Sequence, residues 1–567
     1  MTETRNCQNC KQDFRIEPED FAFYEKIKVP APTFCPQCRL VRRLAWLKGF
    51  RLYKRACDLC KKEKISMYRP EAPYTIYCND CWWSDKWDPC DYARDYDFSK
   101  AFFQQFDELL HRVPLRGIAI DTMSGELSPY TNHVGFSKGC YLIFFSGYNE
   151  DSEVGFYLTR NKSVLDCSVI MECENCYDSM NGFQNYQVHG SRGNVRGSTD
   201  CYFIKDSAHV AYCFGSANLN NKKYVFFNEQ LSKEDYERRM SEIDLGSYKT
   251  YQEMKARSEK VWKNSVPRPY HELNSESSTG NYFFQCKNCT ECYDCAGCED
   301  SKYLLLIKGG PVRDCYDYGD WGDGAERVYE GITVGGGVMD VRFSQDIIHG
   351  SNNMEYSKSC MTSSNLFGCV SLRSKDYYIF NKKYPKEEFE ELRKKIIDHM
   401  MSSPYIDAQG KSYQYGEFFP MQLSPHEYND TFAHMFSPLS KEEASRKELK
   451  WIDDALLEYA TTKKAHELPD HIRDASDAIL QDVIQCEICP RGYRVSKQEL
   501  NFLRKHNLPL PRQCPFCRIE AKVQQWVLQM TLVDRTCDKC GNELRTHYTK
   551  EDAPVMYCKE CYLEAFV

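Results

Sequence analysis

The stretch APTFCPQCRLVRR, residues 31–43, sets two cysteines three apart around a proline and follows them with arginines. A near copy, PRQCPFCRIEAK, returns at residues 511–522. Thiolates three apart on a tight knuckle can face one tetrahedral ion, and two such knuckles complete a four-thiolate site with no open position. Working outward, the first ninety residues hold Cys7/Cys10, Cys35/Cys38, Cys57/Cys60 and Cys78/Cys81, and the last eighty-two hold Cys486/Cys489, Cys514/Cys517, Cys537/Cys540 and Cys558/Cys561. The intervals between successive pairs are 24, 18 and 17 residues in the first set and 24, 19 and 17 in the second. Pro36, Arg39, Trp46, Asp58 and Tyr77 match Pro515, Arg518, Trp526, Asp538 and Tyr557, so the ends of the chain are an internal duplication. The sixteen cysteines predict four structural zinc sites, each contributing folding energy directly. Sequential pairing of knuckles is the simpler reading, with an interleaved cross-brace left open.

Composition fits this reading. At 567 residues the chain has room for three or four folding units. Its 42% hydrophobic and 28% charged content is globular, and no apolar run approaches the roughly 20 residues of a membrane span. The start, MTETRNCQNC, lacks a signal-peptide pattern, which predicts a cytoplasmic protein with reduced thiols and no membrane partner. Thirty-one cysteines in a reducing compartment call for metal rather than disulfides.

The layouts CQNCKQDFRIEPEDFAFYEKIKVPAPTFCPQCRLVRR and CEICPRGYRVSKQELNFLRKHNLPLPRQCPFCR resemble the small zinc-ribbon and treble-clef modules of bacteria. With FGCVSLRSKDYYIFNKKYPKEEFEEL and GEFFPMQLSPHEYNDTFAHMFSPLSKEEA, the whole chain resembles a family of multi-zinc-finger proteins of candidate-phylum bacteria. The resemblance implies an architecture and zinc ligation by the sixteen cysteines; it implies no catalytic residue.

Between the metal modules lies a second duplication. Residues 214–236 align without a gap with 367–389, at an offset of 153. Short β-prone pieces such as CYLIFF, KYVFF and DYYIF alternate with turn-forming Asn, Asp, Gly and Ser. Repeated starts at Cys176, Cys201 and Cys315 suggest small or thiol side chains stacked inward in a parallel β-helix, with a β-sandwich as the alternative. Charged helices after each shared segment, with Ser232 as an N-cap and Pro385 near a first turn, would cover the open edges. The expected fold is multidomain: tandem zinc modules at 1–90 and 481–567, a helical linker at 91–120, β-solenoid repeats at 121–235 and 281–390, a helix and linker at 236–280, and a mostly helical region at 391–480 that includes SKEEASRKELKWIDDALLEYA.

Three features bear on function. Cys286, Cys289, Cys292, Cys295 and Cys298 recur every third residue and admit a ferredoxin-like cluster, a further zinc site or packed thiols. Asp314, Asp317, Asp320 and Asp323 offer oxygen ligands or a carboxylate pair for glycoside chemistry, against a turn-rich solvated edge. His189, His209 and His349 show no ligand spacing, and no phosphate loop or nucleophile elbow occurs. The net charge of −8 argues against a wholesale polyanion binder, yet residues 35–64 carry ten basic side chains against two acidic ones. Arg39, Arg42, Arg43, Lys48, Arg51, Lys54 and Arg55, beside Trp46, Phe50 and Tyr53, are therefore the candidate contact surface for nucleic acid or a ribosome. The C-terminal copy lacks this excess, so the shared Trp46 speaks for folding. A nucleic-acid binder, a protein-interaction scaffold with structural zinc, and a carbohydrate-active β-helix enzyme are the classes to separate; the expectation is a non-catalytic, zinc-binding scaffold.

Overall fold

Each tetra-cysteine end begins with the same local event. Cys35 and Cys514 are extended N-caps (ψ 161° and 157°), and the prolines after them open the helices Pro36–Leu44 and Pro515–Leu528. Proline suits a first helical position because its fixed φ is already helical and its missing N–H would have had no partner there. The hairpins Tyr53–Ala56/Glu63–Ser66 and Val533–Thr536/Glu543–Thr546 hold the next knuckles and pair in identical register, 480 residues apart.

The computed structural model describes residues 2–121, 124, 127–453 and 460–566. It divides into two compact units that cut across chain order. One comprises Met1–Ile118 and Glu272–Ile452; the other comprises Ala119–His271 and Asp453–Val567. The N-terminal cysteine modules thus share a unit with the second group of strands, and the C-terminal modules share one with the first.

Both strand groups are parallel almost throughout. In the second unit Glu153–Thr159 pairs with Leu165–Met171 so that Leu165 faces Glu153 and Ser168 faces Phe156, a step of 12 residues. In the first unit Ala325–Gly335 pairs with Val338–Ile348 at a step of 13. A β-sandwich would pair its strands antiparallel, so that alternative does not describe this region. The links between these parallel neighbours, residues 160–164 and 336–337, are short enough to demand sharp corners, and the backbone supplies them: Leu142, Phe145, Tyr148, Asp151, Val154 and Tyr157, every third residue, have φ between 46° and 59°. Side chains other than glycine rarely adopt this conformation. The residue after each of these corners is buried, and at Ser146, Asn149, Ser152 and Gly155 it is also small or polar. Ser146 Oγ donates to the Phe144 carbonyl at 2.7 Å and accepts the Leu158 N–H at 3.0 Å; Asn149 Oδ1 accepts the Asn161 N–H at 3.0 Å. Buried backbone groups that the sheet leaves open are satisfied in this way. At another corner Lys138, Glu150, Lys162 and Glu174 bridge in succession, alternating in sign.

The strand groups end alike. Lys223–Phe226 pairs antiparallel with Glu229–Gln230, and Asp376–Ile379 with Lys382–Lys383. Each is followed by a helix: Lys233–Ser241, where Ser232 Oγ accepts the Asp235 N–H, and Lys386–Ser402 after Pro385. Tyr236 and Phe389 pack on Tyr224 and Tyr377, at ring distances of 5.9 and 5.6 Å.

Two expectations are corrected. The segment 91–120 is no linker: the helix Phe102–Arg112 turns Phe102, Phe103, Phe106, Leu109 and Leu110 onto one face, fully buried against rings that include Phe367 and Phe419. Apolar residues at this spacing form a core-facing stripe. The region 391–480 is not mostly helical. After Ser402 the described residues hold only the short helices Phe432–Phe436 and Lys441–Arg446, with 3-10 turns and two-residue strands. Pro404, Pro420, Pro425, Pro438 and Pro469 interrupt it. Of the expected run SKEEASRKELKWIDDALLEYA, positions 454–459 lie outside the described residues.

Candidate metal centres

Four sets, Cys7/Cys10/Cys35/Cys38, Cys57/Cys60/Cys78/Cys81, Cys486/Cys489/Cys514/Cys517 and Cys537/Cys540/Cys558/Cys561, bring four sulfurs within 4.8 Å of one another. The knuckles therefore pair sequentially, and the interleaved cross-brace is excluded. Sulfurs about 2.3 Å from a shared tetrahedral ion lie about 3.8 Å apart. The separations match: Cys10–Cys35 3.7 Å, Cys60–Cys78 3.9 Å, Cys486–Cys517 3.9 Å, Cys489–Cys514 3.8 Å and Cys540–Cys558 3.7 Å. No described cysteine is in a disulfide.

The knuckles aim polar hydrogens at the sulfurs. The N–H groups of Cys35, Cys78 and Cys514 donate to Cys7, Cys57 and Cys486 Sγ at 3.3, 3.2 and 3.2 Å, and Asn9 Nδ2 donates to Cys38 Sγ at 3.2 Å. Such donors disperse thiolate charge. Hydrogen bonds from Cys35 and Cys517 draw the thiols of Cys38 and Cys514 down to about 5. In three sets the residue after the second cysteine, Lys11, Lys61 or Gly541, is left-handed and returns its N–H to the first cysteine's carbonyl. In the fourth that residue is Pro490, which has no N–H to give.

The basic run after Cys38 does not form an open surface. Arg39, Arg42, Arg43 and Lys48 are each 1% exposed. Arg39 and Arg43 pair with Asp317 at 2.8 and 3.1 Å, and Arg42 with Glu330 at 2.6 Å and Glu417 at 2.7 Å. Lys48 pairs with Asp430, which Arg51 approaches to 3.9 Å. Arg55 donates to the carbonyls of Arg69, Ala72 and Tyr74, and Lys54, 69% exposed, is the open cation among the seven. Burial alone would lower the Arg42 guanidinium; Glu330 and Glu417 more than offset it, and burial raises Glu330 to about 6. Cations placed this way fasten the module to the strands. The C-terminal copy does the same: Arg518 lies 2.9 Å from Glu499 and 3.6 Å from Asp166, and Lys522 bridges Asp166 and Asp178 at 2.9 and 3.0 Å. Trp46 and Trp526 are both fully buried. Sequence reasoning gave Asp317 a different role and missed the other acceptors; for Asp166 and Asp178, and for Asp317 and Glu330, the available signal is an acidic residue at left-handed corners one step of 12 or 13 residues apart.

The other candidates separate. Cys286, Cys289, Cys292, Cys295 and Cys298 are internal corner residues whose thiols donate to carbonyls two residues back, as the internal serines do. Among the described residues, the four terminal sets are those whose ligand atoms all lie within 4.8 Å of one another, and the Cys286–Cys298 run is not among them. Asp314 pairs with Lys26, Asp317 with the arginines, Asp320 accepts the Thr333 hydroxyl and Asp323 accepts Trp321 Nε1, while Asp320 and Asp323 both act on Lys308. His189 is buried beside His506, ring centres 5.2 Å apart, whereas His209 and His349 are exposed. No helix among the described residues is long and apolar enough to cross a membrane.

No family model and no curated protein matches the chain. Among solved structures, the chain is similar to one titled as a candidate acetyltransferase from Desulfovibrio desulfuricans G20, at 9% identity over 50% of this chain and 86% of that one. The TM-score is 0.11, a likeness too slight to carry an argument about fold or function.

Proposed function

We propose that the protein is a zinc-binding, non-catalytic scaffold of the reducing cytoplasm, in which four structural ions clamp two pairs of modules onto two strand platforms. The reading rests on one observation: four closed sets of four thiols at the spacing a tetrahedral ion requires. Zinc is the ion that an all-thiolate tetrahedron with no open position favours. We further read residues 121–235 and 281–390 as two β-solenoid repeats, because parallel neighbours stepping by 12 or 13 residues with a corner every third residue can wind as successive rungs. With the arginines after Cys38 already neutralised internally, the partner class we favour is protein; the exposed stack of Phe136 on Tyr148, 4.9 Å apart, is an example of surface suited to it.

Metal analysis of protein purified without chelator tests the reading: four zinc ions per chain are expected, and fewer than three, or iron, would sink it. Binding to a mixed single-stranded RNA and DNA pool, measured against salt, separates the partner classes. Neutralising Arg42, Arg43, Arg51 and Lys54 is expected to lower stability and leave any salt slope unchanged; a slope reduced by several units would restore the nucleic-acid reading.

A further inference from the structure

In the first unit three indoles surround one guanidinium. Arg373 lies over the rings of Trp82, Trp83 and Trp87 at 4.9, 5.7 and 5.5 Å, and Trp82 also carries Arg116 at 5.4 Å. Trp82 and Trp83 follow directly on the Cys78/Cys81 knuckle, Trp87 comes four residues later, and Ile348 of a strand with its bridge partner Met361 completes the contact. A cation held by aromatic faces loses its partner only by parting the two surfaces.

The duplication supplies an internal control. The cation-to-aspartate pairs follow one plan on both platforms, Arg39 and Arg43 meeting Asp317 and Arg518 and Lys522 meeting Asp166, and differ only in the further acceptors around them. The cage is different. Tyr562 and Leu563 stand at the places of Trp82 and Trp83, and Asn220 stands at the place of Arg373. There the contact is a hydrogen bond, Tyr562 Oη to Asn218 Oδ1 at 3.0 Å. Arg42, whose helical counterpart is Ala521, adds a second requirement that the first platform does not share. Exchanging the modules would leave three indoles over an amide and Arg373 facing a phenol.

We infer that the tryptophan cage and Arg373 form a recognition surface that assigns the N-terminal modules to the platform starting at Glu272, in place of the one nearer in sequence. The partner it fits is a parallel-stranded edge that presents an arginine. The inference stands apart from the identity of the metal.

The test uses the full-length chain. R373N installs the first platform's residue; amide exchange in Asn79–Trp83 and Pro36–Leu44 is expected to quicken at least tenfold, with Pro515–Leu528 unchanged and four metal ions retained. R373K is expected to restore most of the protection. Loss of packing alone would also speed exchange, so the reciprocal variant R373N/N220R decides: lysine crosslinks from Lys61, Lys62 and Lys64 are expected to shift from residues 272–452 toward 119–271. Unchanged exchange in R373N, or crosslinks that stay with 272–452 in the reciprocal variant, would overturn the inference. A metal count below three, or iron, in the wild type would instead count against the zinc reading.

Discussion

The helices Pro36–Leu44 and Pro515–Leu528 start on the same Cys-Pro corner, yet they are fastened differently. In the first unit one carboxylate, Asp317, pairs directly with two buried guanidinium groups, with Glu330 adding a longer-range attraction to Arg43, while Arg42 has its own pair of acceptors. In the second unit the load is shared, since Arg518 has Glu499 beside Asp166 and Lys522 has Asp178 beside Asp166. The two ends share the cysteine module and the use of buried cations against acidic residues, while the acceptor network differs between the two units.

The strongest way to break the comparison is through the metal. Cys35→Ser and Cys514→Ser should each remove one ion and abolish amide protection of the adjoining helix, since ligation in small zinc domains is worth on the order of 10 kcal/mol. Survival of both helices would mean that the platforms, rather than the ions, hold the modules.

Next comes the acceptor. Asp317→Ala should destabilise the first unit by about 3–5 kcal/mol, the cost of leaving buried charge uncompensated, as read by denaturant unfolding. Asp166→Ala should cost about half as much, because Glu499 and Asp178 remain. Equal losses would show that the extra acceptors in the second unit contribute nothing.

A pH experiment sharpens the contrast. Burial holds His189 down to about 3, and burial with Lys505 holds His506 down to about 4. Both lie in the second unit. The unfolded chain binds protons at histidine near 6.5, so this unit should keep its full stability above about 6.5 and lose it progressively toward pH 4. His189→Phe should flatten that slope; an unaltered slope would assign it elsewhere.

The smallest effect is expected at the internal thiols. Cys289→Ser keeps the donor that reaches the Lys287 carbonyl at 3.3 Å, so stability should change by about 1 kcal/mol and the metal count should stay at four. A lost ion would revive a metal role for the Cys286–Cys298 run.

Much of the fold was legible because its causes are local. A Cys-x-x-Cys knuckle, a serine N-cap at Ser232 and a hairpin 153 residues from its twin are written within a few neighbouring residues. The period-three cysteines were legible as a pattern and ambiguous as chemistry, since a metal site and an internal column of corner residues both call for small thiol side chains at regular spacing. The basic run was misread for a physical reason: charge in a sequence has a sign and no depth. Arg39 and its acceptor Asp317 are 278 residues apart, and only the packed strands bring that carboxylate under the helix.

Adjacent residues alone specify the sixteen thiols, the knuckles that present them and the likeness of the two ends, because ligand spacing and capping are local. Only the tertiary structure decided which modules share a unit with which strands and that the arginines are fasteners, because those outcomes turn on desolvation and on partners hundreds of residues away.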